Sequence, residues 1–181
     1  MKFTPSILPE VVIIEPRVYG DKRGFFFEAW NAQTFADAGM PAQFVQDNHS
    51  RSARGVLRGL HYQLSRPQGK LVRVVSGRVF DVAVDLRRSS PTFGKWVGVE
   101  LSAANHRLLW IPPGFAHGFL ALEDGTDFLY KCTDFFAPED ERCLKWNDQD
   151  LGIDWPLSGI APIISDKDGL GRSVMEAETY P

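Results

Sequence analysis

Leu71-Val72-Arg73-Val74-Val75-Ser76-Gly77-Arg78-Val79-Phe80-Asp81-Val82-Ala83-Val84-Asp85-Leu86 is a run of β-branched and apolar residues broken once, at Ser76-Gly77. Such side chains favour extended backbone, and a Ser-Gly pair is turn chemistry, so the run reads as strand, turn, strand. The same pattern repeats outward on both sides. Residues 11–14 are β-branched, 24–30 are rich in aromatics, and 96–101 and 106–111 are separated by a connection at 102–105. Residues 115–122 and 126–133 follow, with Glu123-Asp124-Gly125 between them. Helical signals are few: Asn31 is placed to cap a short helix that ends before Gly39, and residues 168–178 could hold another. Short strands at roughly 8–12-residue spacing indicate an all-β sandwich or barrel, jelly rolls among the options.

The 181 residues show no repeat, low-complexity tract or linker, so residues 1–181 read as one domain. No run approaches the roughly 18 apolar residues of a membrane helix. Met1-Lys2-Phe3-Thr4-Pro5-Ser6 lacks a signal-peptide core, which points to the cytoplasm and away from any membrane partner. Cys132 and Cys143 are too few for a disulfide framework and lack CxxC spacing; both read as buried thiols. A formal charge of −3 argues against nucleic acid as a partner. Residues 1–78 nevertheless carry 11 basic against 6 acidic side chains, while residues 79–181 carry 9 against 17. A local cationic pocket for a small anion and a scatter of solvated cations fit that asymmetry equally well.

Within the basic part lies Val56-Leu57-Arg58-Gly59-Leu60-His61-Tyr62-Gln63, followed by Lys70. Histidine is the default general base near neutrality, and Arg and Lys hold phosphates or stabilise oxyanions. The plainer reading is a core histidine flanked by surface cations. Arg58 and His61 are three residues apart, so strict strand alternation points them to opposite faces. Either Gly59 marks a bulge, or Arg58 works from a rim or across a subunit boundary. None of His49, His61, His106 and His117 sits within five residues of another, so no local metal motif exists. There is no GxGxxG, P-loop or GxSxG, and no organic cofactor or metal is expected.

Ile111-Pro112-Pro113-Gly114-Phe115-Ala116-His117-Gly118-Phe119 resembles the second motif of the cupin superfamily. Metal-binding cupins supply His-x-His in their first motif; this chain has His61-Tyr62-Gln63 there. The resemblance therefore implies a cupin-type jelly-roll barrel with a few short helices and without the metal. A closer likeness runs through the chain. Arg17-Val18-Tyr19-Gly20-Asp21-Lys22-Arg23-Gly24-Phe25-Phe26-Phe27-Glu28, Phe44-Val45-Gln46-Asp47-Asn48-His49-Ser50, Val56–His61 and Gly69-Lys70-Leu71-Val72-Arg73 are similar to the dTDP-4-dehydrorhamnose 3,5-epimerase family. So are Phe80–Asp85, Ser90-Pro91-Thr92-Phe93-Gly94, Leu129-Tyr130-Lys131 and Ile153-Asp154-Trp155-Pro156.

That resemblance implies inversion at C3 and C5 of a dTDP-4-keto-6-deoxy sugar through enolates, by a homodimer that needs no cofactor. It matches His61 to the base, Asp168 to its carboxylate partner and Tyr130 to the proton donor. Taken alone, Asp168 reads as a helix N-cap, which is compatible with that role, and Tyr130 as an ordinary core tyrosine. Lys70 would stabilise the enolate oxygen, and Arg23 and Arg58 would hold the diphosphate, with His117 and Lys167 near the nucleotide. Gln46, Asn48, Glu28 and Glu141 match binding positions. Phe136 stands where many members carry a tyrosine stacked on the thymine; a phenyl ring stacks too, without the hydroxyl. The readings left beside this one are a single-carbon epimerase or keto-isomerase, a metal-dependent cupin dioxygenase, and a non-catalytic sugar-nucleotide-binding barrel.

Overall fold

The computed structural model describes residues 1–181 and is almost entirely β. The strands are β1 (Lys2–Pro5), β2 (Val12–Glu15), β3 (Tyr19–Asp21), β4 (Gly24–Phe26), β5 (Gln46–Ser52), β6 (Leu57–Gln63) and β7 (Lys70–Ser76). They continue with β8 (Arg78–Asp85), β9 (Trp96–Ser102), β10 (Leu108–Ile111), β11 (Phe115–Ala121), β12 (Thr126–Cys132) and β13 (Glu141–Cys143). Two short helices, α1 (Ala32–Asp37) and α2 (Asp166–Gly169), complete the set with one 3-10 turn at Pro138–Asp140.

The strands form a six-stranded sheet, β1-β2-β10-β7-β12-β5, a five-stranded sheet, β13-β6-β11-β8-β9, and the separate hairpin β3-β4. The expected strand, turn, strand at 71–86 is present, but the two strands do not pair. β7 belongs to one large sheet and β8 to the other, and β9/β10 and β11/β12 are divided in the same way. The one-residue step between β7 and β8 is Gly77, with φ at 75°; a Cβ there would lie 2.4 Å from Thr126 Oγ1. Only glycine makes that crossing at so close an approach.

Side-chain alternation sorts the residues into layers. Val72 and Val74 of β7, Leu109 and Ile111 of β10, and Phe128 of β12 meet Val79 and Ala83 of β8 and Phe115 and Phe119 of β11 between the sheets. On the outside of the five-stranded sheet, Leu60, Val82, Val84 and Leu120 pack under Leu144, Leu151, Trp155 and Val174 of the C-terminal segment. On the outside of the other sheet, Ile14, Leu71 and Leu108 pack against Phe35 of α1. Burial on both faces explains why β8 reads as a nearly continuous apolar run rather than an alternating one.

Several expectations are corrected. Asn31 does cap α1, accepting from Thr34 N. The second helix, however, is a single turn, not 168–178: Arg172 bonds to the Cys143 carbonyl and Val174 to Asp148, which draws the chain off the helical path. Ser165, not Asp168, is its N-cap, accepting from Asp168 N at 3.1 Å. The aromatic stretch 24–30 is extended only over β4. Cys132 is fully buried, but Cys143 is half-buried, because it ends the edge strand β13.

Candidate active site

A cleft of about 660 Å³ opens between the two large sheets. It collects Gln46 and Asn48 from β5, Arg58, His61 and Gln63 from β6, Lys70 from β7, His117 from β11, Tyr130 from β12 and Glu141 from β13. Phe136, Lys167 and Asp168 arrive from the loops and from α2.

The floor rests on an irregularity in β6. Against β11, His61 pairs with His117 and Arg58 with Phe119, so three steps on one strand match two on the other. One extra residue is a β-bulge, and it reverses the parity that would have separated Arg58 from His61. Both therefore line the cleft. Gly59 sits in the bulge with φ at 112°, and a Cβ there would be 2.6 Å from both Gly118 Cα and the His117 carbonyl oxygen. Arg58 is then held by donating from Nε to Ser52 Oγ at 3.1 Å and from a terminal nitrogen to the Arg51 carbonyl.

Asp168 meets His61 across 107 sequence positions, with Oδ1 2.6 Å from Nε2. Its second oxygen accepts from Gly59 N at 3.3 Å, so the bulge also anchors the carboxylate. Burial by itself raises the Asp168 pKa, but the bonds from His61, Gly59 and the α2 cap outweigh it and leave the carboxyl below its usual range. An ionised carboxylate only accepts, which assigns the proton to Nε2 and leaves the lone pair on Nδ1. The fixed tautomer is that of an oriented general base.

His117, its cross-strand neighbour, is buried and faces Asp81, whose two oxygens lie 3.0 and 3.1 Å from Nε2. Burial lowers its pKa against the pull of Asp81, and the nearby Lys70 ammonium works in the same direction as burial. His117 lines the floor of the cleft next to His61. Burial also lowers the Lys70 pKa, opposed by Cys132, Glu141 and Asp81. Tyr130, on the opposite sheet from His61, has its pKa raised by burial, so its hydroxyl stays protonated at neutral pH. Lys167 is ion-paired with Glu141. Gln46 Nε2 donates to Asn48 Oδ1, and Asn48 in turn to Cys132 Sγ.

Arg23 and Glu28 are not brought to this cleft. Arg23 turns back on Asp21 in the exposed hairpin, and Glu28 accepts from Asn31. Conversely, sequence reasoning missed Asp81 and Gln63. Asp81 carried a signal: it alternates with Val79 and Ala83 on the inward side of β8, where a carboxylate is expensive unless partnered.

One trio offers metal-ligand atoms, His61, Cys143 and Asp168, all within 4.8 Å of one another. Two are already bonded to each other, and burial together with Asp168 and Glu141 pushes the Cys143 thiol up to about 12. A metal would have to part the dyad and strip a reluctant thiol, so the donor set suits proton transfer better.

The geometry provides a fixed base on one wall, a phenol on the facing wall, a desolvated ammonium and a cationic rim. Such a set suits removal and return of a proton beside a carbonyl of an anionic substrate. Comparison with known proteins agrees. The family model described as dTDP-4-dehydrorhamnose 3,5-epimerase matches residues 5–176. The dTDP-4-dehydrorhamnose 3,5-epimerase of Pseudomonas aeruginosa is 62% identical over 182 residues, covering 100% of both chains. That of Shigella flexneri is 55% identical, covering 99% of each. Among solved structures, dTDP-6-deoxy-D-glucose-3,5-epimerase from Legionella pneumophila in complex with dTDP-4-keto-L-rhamnose is similar, with 51% identity and a TM-score of 0.94. The match covers 98% of this chain and 94% of that one. The β architecture is accordingly of the cupin type. With likeness spanning the full length in both sequence and structure, this chain belongs to the dTDP-4-dehydrorhamnose 3,5-epimerase family.

Proposed function

We propose that this chain converts dTDP-4-dehydro-6-deoxy-D-glucose to dTDP-4-dehydro-L-rhamnose by inversion at C3 and C5. The observation that carries the reading is the placement of His61 and Tyr130 on facing sheets of one cleft. A keto sugar held between them presents one ring face to each. His61 Nδ1 takes the proton from the carbon beside the carbonyl, the electron pair moves to the C4 oxygen, and Lys70 stabilises the enolate. Asp168 stabilises the imidazolium. The Tyr130 hydroxyl returns a proton to the carbon from the other face, and solvent restores both groups. The cycle then repeats at the second carbon.

Arg58 and Lys167 take the diphosphate, while Gln46, Asn48, Glu141 and Phe136 line the cleft around the nucleotide. His117 supports the floor beside the base. The working unit is a single domain over residues 1–181, acting as a cytoplasmic homodimer. The hairpin β3-β4 supports the dimer, since it leaves Phe25 and Phe26 63% and 70% exposed and keeps Arg23 and Glu28 outside their own cleft. A second copy receiving that hairpin would cover the rings and gain Arg23 for its diphosphate. No helix is long and apolar enough to cross a membrane.

Incubation with the 4-keto-6-deoxy-D-glucose nucleotide and NMR identification of the product tests the assignment. Ring couplings of the L-configured sugar are expected. Recovery of unchanged substrate, or of a sugar inverted at one carbon, overturns it. Sedimentation of the purified chain tests the dimer, and a monomer at micromolar concentration contradicts it.

A further inference from the structure

Gln63 occupies the position two residues beyond His61, where strand alternation returns a side chain to the cleft side, yet nothing in the reaction uses it. It is 3% exposed, so its amide must be satisfied internally. Its Nε2 donates to the carbonyl oxygens of Arg66, at 2.8 Å, and Phe135, at 3.2 Å. Its Oε1 accepts from Ala137 N at 2.8 Å. These bonds grip the backbone on both sides of Phe136. Phe136 N itself donates to Gln46 Oε1 at 2.8 Å, from the facing sheet. The Gln63 carbonyl is held by the Tyr180 hydroxyl at 2.6 Å, which fixes the end of β6 from which the amide reaches out.

Phe136 is half exposed at the edge of the cleft, on a segment with no strand or helix of its own from 133 to 137. A ring on such a segment ordinarily loses conformational freedom when a ligand stacks on it, at a cost in affinity. Here the backbone under the ring is fixed beforehand by two glutamine amides.

We propose that Gln63 is the positioning residue for Phe136, preorganising that ring as the platform against which the substrate's nucleobase stacks. This rests on the nucleotide-sugar reading given above. The Arg66–Asp134 ion pair and the bonds that Asp140 accepts from Ser65 N and Arg66 N dock the flanks of the segment. From Phe135 to Ala137 the ties are those of Gln63 on either side of the ring and of Gln46 at Phe136 N. An amide is the side chain that donates and accepts in one plane, and at this place it holds a loop rather than a cation.

Gln63→Met keeps the volume and removes all three bonds; Gln63→Glu keeps the acceptor and loses the donors. Each is measured for kcat and KM with the dTDP-keto sugar, alone and combined with Phe136→Ala. Gln63→Met is expected to raise KM five- to twentyfold with kcat within about twofold of wild type. Gln63→Glu, which sets a carboxylate oxygen against the Arg66 and Phe135 carbonyl oxygens, should raise KM at least as much, and serves alone if the methionine variant fails to fold. Phe136→Ala should raise KM at least as much, and the double variant should be no worse than Phe136→Ala. A loss in kcat at unchanged KM, or KM effects that multiply in the double variant, overturns the positioning role. If Phe136→Ala itself leaves KM unchanged, the stacking platform is wrong; if wild type does not turn the substrate over, the reaction assignment is.

Discussion

Replacing Asp168 by Asn probes the dyad with almost no change in shape. In the wild type, Oδ1 accepts from His61 Nε2 at 2.6 Å and Oδ2 from Gly59 N at 3.3 Å. An asparagine that keeps the Gly59 bond through its one oxygen turns its NH2 toward Nε2. The ring then moves its proton to Nδ1, where the lone pair is needed. The substitution also removes the charge that meets the imidazolium. A hydrogen bond to a charged group contributes about 1.5–3 kcal/mol, and the lost counter-charge brings the expected total to about 3–4 kcal/mol. At about 1.4 kcal/mol per factor of ten, kcat should fall about 10²- to 10³-fold. KM should move less than threefold, because Asp168 is buried and its two oxygens are taken by His61 and Gly59. The assay is steady-state turnover of the dTDP-keto sugar, with circular dichroism to confirm folding. A folded Asp168→Asn enzyme within fivefold of wild-type kcat refutes the tautomer argument.

Lys70→Met should lower kcat by about 10²- to 10³-fold, the size expected for losing one oxyanion partner, and turnover kinetics that change KM alone would contradict the role. Tyr130→Phe should still release substrate deuterium to solvent while product formation falls; equal loss in both assays sinks the donor assignment. Gly59→Ala places a Cβ 2.6 Å from Gly118 Cα and the His117 carbonyl oxygen and should lower stability by about 2 kcal/mol or more in urea unfolding. Asp85 contributes to the acid limb of stability. Burial raises its pKa, but the bonds from Arg87, Ser90 and Thr92 prevail and bring it to about 2 from an ordinary 3.8. A depressed folded pKa gives stability that is present above about pH 4 and lost as pH falls towards 2, on the order of 2 kcal/mol. Asp85→Asn should therefore flatten the pH dependence of urea midpoints in that window, and an unchanged profile contradicts it.

Strands such as β7 and β8 were legible in the chain because burial on both faces writes long apolar runs, whereas the polar β5 was not. Nor were the strands' partners. A Ser76-Gly77 turn looks the same whether it closes a hairpin or steps between sheets, and only the contact of Gly77 with Thr126 distinguishes the two. His61 and Lys70 stood out as residue types, and the family likeness drew Tyr130 and Asp168 to them. No spacing rule joins residues 107 apart. The Arg58 parity problem was visible as a conflict, and the bulge at Gly59 resolves it. Asp81 was readable in principle as a carboxylate at an inward position of β8. Gln63 was not, since its role depends on where a loop seventy residues later comes to lie. Arg23 and Glu28 show the converse: their motif is plain in the chain, yet their own cleft does not include them.

The most direct test of two-site proton exchange through His61 is incubation of the 4-keto-6-deoxy-D-glucose nucleotide with the enzyme in deuterated water, followed by NMR. Wild type should give product carrying deuterium at both C3 and C5, and folded His61→Asn should give neither. Product formed without deuterium at one of these carbons, or exchange that survives in His61→Asn, would contradict the account.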